Sequence, residues 1–438
     1  MSEAIPSLWS SGSLRDVAKV VSGGTPSRYV PEFWDGGTIP WATPTDITST
    51  TGRFLIDTRE RITEKGLKSC SATLLPVGSL LLTSRATLGE IRIAGIEVCT
   101  NQGFKSLVPL EGNSGEFLYY QMLRSKDRFG SLGIGSTFLE VSKRDAERFS
   151  ILVAPTNEQV RIARILAAID ETIEQTSALI GKFNKTKAGL MHDLFTRGIR
   201  PNGDIRPPRE EAPHLYKESP LGWIPKEWSA LLISKALITD GGIKPGPFGS
   251  SLKKSFFTSG GYRVYGQEQV IGGSLDSGNY YISRRKFEEM KAFAVAEGDV
   301  LLSLVGTIGK SLVVEKPFEA GIINPRLVRL RPNQPVCRSR FLSAYLGSDG
   351  AKRQIDALSG GGTMPVINGK VIRILCMPLG SAKEQDLAID RMDTLDSRVA
   401  ATTEELIKLN KVRIGLMRDL LTGRVRIPES MLREAVPR

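Results

Sequence analysis

Apolar side chains in this sequence fall into two kinds of pattern, and the longer one appears twice. From Ile162 the positions Leu166, Ile169, Ile173, Thr176, Ile180, Phe183, Lys187, Leu190 and Leu194 step by alternate fours and threes. That is a strict seven-residue repeat with one hydroxyl and one cation in its seam, the signature of a long helix paired with another. The pattern recurs 226 residues on as Ala388, Met392, Leu395, Val399, Thr402, Leu406, Leu409, Arg413, Leu416 and Leu420, with Thr and cation at the same heptad positions. The identities behind it need no gap: Glu158-Gln159, Asp170, Asn184-Lys185, Gly189-Leu190-Met191, Asp193-Leu194 and Thr196 return as Glu384-Gln385, Asp396, Asn410-Lys411, Gly415-Leu416-Met417, Asp419-Leu420 and Thr422. Thr156 or Asn157 is placed to cap the first helix, and Gly198 and Gly423 mark the two ends. Forty helical residues make a rod of roughly 60 Å. Such a stripe must be covered in water. The two helices are therefore expected to pair antiparallel, with Thr176, Lys187, Thr402 and Arg413 fixing their register.

The second pattern is short, β-rich and punctuated by Gly and Pro: Ser79–Ser84, Ile91–Ile93, Val300–Leu304, Leu312–Val314 and Leu327–Leu330. It too repeats, more weakly. Ile5-Pro6-x-x-Trp9 matches Ile224-Pro225-x-x-Trp228, and Gly78–Gly89 matches Gly298–Gly309 at an offset of 220. Ser136-Thr137 matches Gly362-Thr363 at 226. Helical stretches at Gly115–Phe129 and Arg338–Leu358 precede the long helices. The expected fold is α+β: two similar mixed α/β domains separated by two long antiparallel helices in an internal pseudo-twofold repeat. The boundaries are a first domain at 1–155, a long helix at 156–198, a Pro- and charge-rich linker at 199–217, a second domain at 218–380, a second long helix at 381–424 and a tail at 425–438.

Composition narrows the chemistry. No run approaches the roughly 18 apolar residues a membrane span needs, and the first residues lack a secretory pattern. Cys70, Cys99, Cys337 and Cys376 lie far apart without a C-x-x-C pair, which argues against a zinc site or a disulfide framework and fits a reducing cytoplasm. Two histidines, His192 and His214, leave little material for imidazole chemistry. The formal charge of +12 is uneven: residues 217–380 carry 22 basic and 13 acidic side chains, whereas residues 1–155 carry 17 and 16. Lys253–Lys254, Arg284–Lys286, Arg326/Arg329/Arg331 and Lys352–Arg353 concentrate that excess, which suggests a phosphate-facing surface.

Apparent catalytic motifs fail on spacing or context. Gly306-Thr307-Ile308-Gly309-Lys310-Ser311 has two residues between its glycines where a phosphate loop needs four. The glycines of Phe129–Gly135 follow a helix, not the strand a dinucleotide site requires. Pro207-Pro208 is the only Pro-Pro and sits between arginines, so no loop for holding a flipped base is present. Asp276 with Glu289-Met290-Lys291 imitates a metal-dependent nuclease, but Glu289 follows Glu288 in a charged turn and reads as a solvated face. No catalytic residue and no metal ligand is therefore assigned.

The arrangement resembles the specificity subunit of a Type I restriction–modification system over nearly the whole chain. The residues that carry the resemblance are Ser219–Trp228, Ser22-Gly23-Gly24-Thr25-Pro26-Ser27, Ile39–Ile47, Thr100-Asn101-Gln102-Gly103-Phe104, Gly362–Ile367 and both Gly-Leu-Met helix ends. The second domain reads Gly241-Gly242-Ile243-Lys244-Pro245 where the first has Gly-Gly-Thr-Pro, which implies a different loop there. The resemblance implies a non-catalytic, DNA-reading subunit of host defence, with each domain recognising one half of a split, asymmetric double-stranded target. It implies that the helices set the unread spacer. Two methylation subunits carrying S-adenosylmethionine would dock along them, and restriction/translocase subunits would supply ATP- and Mg-dependent cleavage. This chain would itself bind no cofactor and no membrane. Polar residues in the repeat-matched loops are the candidate DNA contacts: Thr83, Ser84, Arg85, Thr87, Asn101, Gln102 and Lys105 in the first domain, and Lys253, Lys254, Gln267, Gln269, Ser303, Thr307, Asn324 and Arg326 in the second. Arg pairs bidentately with guanine, and Asn or Gln with adenine. The competing reading is a coiled-coil scaffold or adaptor of a defence complex that does not read sequence.

Overall fold

The computed structural model describes residues 7–85, 87–135, 139–248, 251–304, 309–358 and 369–428. The chain divides into two compact units, one formed by Met1–Leu179 with Thr402–Arg438 and the other by Ile180–Ala401. The division falls inside both long helices, Thr156–Thr196 and Ala382–Leu420. Each unit therefore holds part of both helices together with one α/β body.

In unit 1 a five-stranded sheet orders Ala18–Ser22, Lys105–Pro109, Leu80–Leu82, Ile91–Ala94 and Phe54–Leu55. Beside it Glu60–Ile62, Ile39–Ala42 and Cys99–Thr100 form a second, three-stranded sheet. Leu80, Leu82, Ile91 and Ile93 pack with Phe117, Leu118 and Met122 of the helix Gly115–Arg124. The same core takes in Ile162, Ala163 and Leu166 of the first long helix, Met417 and Leu420 of the second, and Leu421 just past its end. Unit 2 repeats the plan. One four-stranded sheet orders Ile243–Pro245, Leu327–Leu330, Val300–Ser303 and Ser311–Val313, and a second orders Phe257–Thr258, Tyr281–Ile282, Tyr262–Tyr265 and Gly321–Ile323. The helices expected at Gly115–Phe129 and Arg338–Leu358 are each broken once. Their pieces are Gly115–Arg124 with Lys126–Gly130, and Ser339–Leu346 with Asp349–Leu358.

The helix pair is antiparallel within each unit. In unit 1 Arg413 meets Asp170, and Arg426 lies beyond it against Glu158. In unit 2 Lys187 meets Asp396, and Glu384 accepts from the Ile199 amide at 2.9 Å. The seam residues Ile162, Leu166, Ile169, Ile173, Ile180, Phe183, Leu190 and Leu194 are all buried or half-buried. So are Met392, Leu395, Val399, Leu406, Leu409, Leu416 and Leu420. A matching clamp holds the start of each helix. Trp9 donates its indole N–H to Glu158 at 3.0 Å, and Arg426 grips the same carboxylate at 2.8 and 2.9 Å. In unit 2 Trp228 donates to Glu384 at 2.8 Å and Arg206 supplies the guanidinium.

These contacts correct two boundaries and one helix cap. Residues 199–217 are not a free linker: Arg206 is buried against Glu384, and Tyr216 opens the strand Tyr216–Ser219. The segment from 425 is not a loose tail as far as it is described, because Arg426 is clamped and Ile427 is buried. The first helix starts at Thr156, so neither Thr156 nor Asn157 stands before it. The Thr156 hydroxyl donates to the Gly112 carbonyl instead. The matches Ser136-Thr137 and Gly362–Ile367 lie outside the described residues. All four cysteines are free, and burial pushes the Cys99 and Cys337 thiols up to about 12.

Candidate nucleic-acid interface

The same rim is built in each unit where two parallel strands end side by side. In unit 1 Ile39–Ala42 runs parallel to Cys99–Thr100. Beyond them the Asn101 amide N–H donates to the Ala42 carbonyl at 3.0 Å, and the Asn101 side-chain oxygen accepts the Gly103 N–H at 2.9 Å. In unit 2 Tyr262–Tyr265 runs parallel to Gly321–Ile323, the Asn324 N–H donates to Tyr265 at 2.8 Å, and the Asn324 side chain accepts the Arg326 N–H at 2.9 Å. The next strand end joins each turn, through Ser84 N–H to Gly103 at 2.7 Å and Leu304 N–H to Arg326 at 3.0 Å. A short helix leaves from the same place in both, Pro44–Ser49 and Gln267–Gly272. Side chains three residues in bind back to the entry: Asp46 accepts from Thr43 N–H, and Gln269 from Gly266 N–H, both at 2.7 Å.

Glycine at the entrance is required by this packing. A Cβ at Gly23 would lie 1.9 Å from the Asn101 carbonyl oxygen, and one at Gly246 would lie 1.8 Å from that of Asn324. The true counterpart of Gly23 is therefore Gly246, not Gly241 or Gly242. The loop entrance of the second domain is matched at this glycine, and Phe248, 88% exposed, follows it by two residues as Thr25 follows Gly23.

Against this frame the candidate contacts separate. Thr83, Ser84, Lys105, Gln269 and Ser303 are buried and hold the rim together. The Thr83 hydroxyl serves its own turn, donating to Thr87 and accepting from the Glu90 N–H at 2.9 Å. Lys105 donates to Ser84 at 3.3 Å and Gln267 to Ser303 at 2.8 Å. Asn101 and Asn324 spend their carboxamide oxygens on the turns. Polar side chains at strand ends are taken up in this way because buried turn amides need partners. Thr87, Gln102, Lys253, Lys254 and Arg326 are exposed, while Arg85 and Gln267 are half-buried. Arg326 lies 3.4 Å from the Gln267 side-chain oxygen, so Gln267, Ser303, Asn324 and Arg326 form one cluster. Thr307 lies outside the described residues.

Part of the basic excess is internal. Asp299, fully buried, pairs with Arg331 at 2.6 Å and with buried Arg329 at 3.9 Å. Lys286 pairs with Glu289 at 2.8 Å, and the Glu289 side chain is 63% exposed, as on a solvated face. The remaining outward cations of unit 2 include Lys253, Lys254, Arg284, Arg285 and Arg326. Two features gave no signal in the sequence. Glu140 meets both Arg85 and Lys105, at 2.7 and 3.2 Å. Arg28 lies 3.7 Å over the Trp34 ring while paired with Glu60. Each joins residues remote in sequence, beyond the reach of spacing. No group of three or more potential metal ligands occurs among the described residues. A cavity of about 430 Å³ in unit 2, between His192, Phe195 and Lys352, is lined by none of the candidates. No helix among the described residues is long and apolar enough to cross a membrane.

Comparison with known proteins agrees with this geometry. A family model described as the Type I restriction modification DNA specificity domain matches residues 6–182 and 249–411. The Type I restriction enzyme MjaIX specificity subunit of Methanocaldococcus jannaschii is 33% identical over 235 residues, and this chain spans about half the length of that relative, 52%. The MjaVIII specificity subunit of the same organism is 23% identical over 434 residues, covering 97% of this chain and 94% of the relative. Among solved structures, the S subunit of a Type I system from M. genitalium gives a TM-score of 0.57 at 17% identity, covering 96% of this chain and 97% of that one. A chain solved in work on assembly and conformational transition of the type I R-M system gives 0.56 at 19%, covering 97% and 100%. At these identities both likenesses speak for the fold, two α/β bodies with a pair of long helices. With most of its length matched by the family model, the chain belongs to the Type I restriction–modification DNA specificity family.

Proposed function

We propose that this chain is the target-reading subunit of a Type I restriction–modification assembly and performs no chemistry itself. Each unit reads one half of a two-part, asymmetric DNA target, and the paired helices set the unread spacer. Two methylation subunits carrying S-adenosylmethionine dock along the helices, and restriction/translocase subunits bring ATP and Mg. The observation that carries the reading is the duplicated rim: one backbone frame, built twice, presenting different side chains each time. Arg85 and Gln102 stand at the first rim, Gln267 and Arg326 at the second. A frame that keeps its glycine and its Asn turn while changing its tips suits recognition of two unlike sequences, because phosphate contacts position a protein and base-edge contacts specify. Unlike a symmetric dimer, such a chain has no reason to read a palindrome. The test is single-molecule methylation mapping in cells carrying the chain and its methylation partner. The expected result is a split, non-palindromic motif; a short continuous motif, or none, overturns the reading.

A further inference from the structure

Glu140 belongs to none of the repeats, yet it sits at the centre of the charged part of the first rim. Its backbone is fixed twice. Ile134 and Glu140 exchange amide hydrogen bonds at 3.1 Å, and the Val141 N–H donates to the Ser84 carbonyl at 3.0 Å. Its carboxylate is shared: one oxygen lies 2.7 Å from the Arg85 guanidinium, the other 3.2 Å from the Lys105 ammonium. These three side chains are very unequally exposed, Lys105 at 6%, Glu140 at 33% and Arg85 at 42%. A lysine that deep requires a counter-charge. Once Glu140 has supplied it, one positive charge remains, and it is carried by the exposed Arg85.

We propose that Glu140 is a positioning residue for target reading by unit 1: shared between buried Lys105 and Arg85, its carboxylate holds the Arg85 guanidinium in one orientation facing a guanine edge. The proposal rests on the DNA-reading function above. A free arginine at a rim satisfies any phosphate within reach. An arginine gripped by a carboxylate at one end of its planar fork keeps its remaining donors in a fixed geometry, and a fixed fork matches the two acceptors of guanine in the major groove. Lys105, for its part, is a strut rather than a DNA contact.

Among the described residues the device occurs in unit 1 alone. Strand pairing puts Ser22 opposite Lys105 and Pro245 opposite Val328, so an apolar, buried valine stands at the lysine's place in unit 2. There the exposed Arg326 is held by the neutral side chain of Gln267.

The experiment selects bound fragments from random DNA with the full chain and its methylation partner, comparing wild type with Glu140→Gln, Arg85→Ala, their combination, and Glu140→Gln with Lys105→Met. The last removes carboxylate and buried ammonium together, so the rim keeps its single positive charge on Arg85 with no lysine left buried and uncompensated, should Glu140→Gln alone fail to fold. Wild type is expected to enrich a split motif with a guanine in one half. Glu140→Gln, or its pairing with Lys105→Met, should weaken the preference for that one guanine by about tenfold or more, leaving the other half of the motif unchanged. Adding Arg85→Ala should cause no further loss, as for residues acting through one another. A wild-type motif left unaltered by both Glu140 variants overturns the proposal while sparing the reading it rests on. Uniform weakening across the half-target overturns it too, since that is what a structural role alone produces. Failure of the wild type to enrich a split motif overturns the reading itself.

Discussion

Asp170 and Asp396 hold the same place in the two copies of the long helix, and each meets a cation from the facing helix. Their surroundings differ. Asp170 is buried, pairs with Arg413 and accepts the Tyr120 hydroxyl at 2.8 Å. Asp396 is half exposed and meets only Lys187 among the interactions described for it. The cause lies in the body that packs against the seam. Ser114 and Arg338 both donate their amides to the matching glutamines Gln159 and Gln385. In that register Phe117 and Leu118 correspond to Phe341 and Leu342, and Tyr120 corresponds to Ala344. The lesson is that duplicated helices share a seam but not an energy, because the energy of a charge depends on what its neighbours do to water.

The difference should be largest in stability. Asp170→Ala strands Arg413 and the Tyr120 hydroxyl in a buried site and should cost roughly 3–5 kcal/mol, whereas Asp396→Ala should cost about 0–1 kcal/mol. Denaturant unfolding followed by hydrogen exchange in each unit measures both, and equal losses would dissolve the contrast. Tyr120→Phe removes a hydrogen bond to a charged acceptor and should cost about 1.5–3 kcal/mol. Burial, then that hydrogen bond, keeps the Tyr120 phenol protonated far into the alkaline range, so the contact should be insensitive to pH near neutrality.

The rims extend the comparison to DNA. Arg85→Ala and Arg326→Ala should each cost about 1–3 kcal/mol of discrimination, confined to opposite halves of the target and read by competition with single-base variants. A change spread over both halves in either variant would contradict separate reading. Acid should act on the first rim. Partial burial works against ionisation of Glu140, but hydrogen bonds from Arg85 and Lys105 outweigh it and hold its carboxyl below the ordinary value of 4.5. A depressed carboxylate contributes its stabilisation in full above that ordinary value and loses it as pH falls through the lower, folded one. Preference in the first half should thus be flat down to that ordinary value and fade only as pH falls below it, ahead of the second half. The smallest effect is expected at Lys253 and Lys254. Alanine at either should weaken binding to all sequences alike and lower the salt slope by about 1.

How much of this was visible in the residues varied with the range of the interaction. The alternation of fours and threes identified the seam residue by residue, because a helix face is a local property. The cations Lys187 and Arg413 were recognised as register-setting, but their partners were not, since Asp170 and Asp396 find them only through a crossing that spacing does not fix. Residues 199–217 read as a linker from their prolines. Yet Arg206-Pro207-Pro208 and Arg426-Ile427-Pro428 repeat at 220, and that match signalled two clamps. At the rim, Leu80–Leu82 and Val300–Ser303 fall inside expected β runs, but the parallel strands Ile39–Ala42, Cys99–Thr100, Tyr262–Tyr265 and Gly321–Ile323 were not among them, and five polar candidates proved to be buried. The sequence marks Thr83 or Ser303 as polar without showing whether its hydroxyl faces water or a turn amide. Gly241-Gly242 drew attention as a pair, whereas the packing requirement sits at Gly246, defined by the Asn324 carbonyl.

The division of the chain also bears on the order in which the protein takes shape. Unit 2 is one uninterrupted run, Ile180–Ala401, but unit 1 needs Thr402 onward to complete it. At roughly 5–20 residues per second of synthesis, the earlier-made body waits on the order of 10–45 s for its missing piece. Until Arg413 is made, Asp170 lacks its ion-pair partner and the stripe through Ile162 and Leu166 lacks the part of its cover that Met417 and Leu420 supply. The body synthesised first is thus finished last.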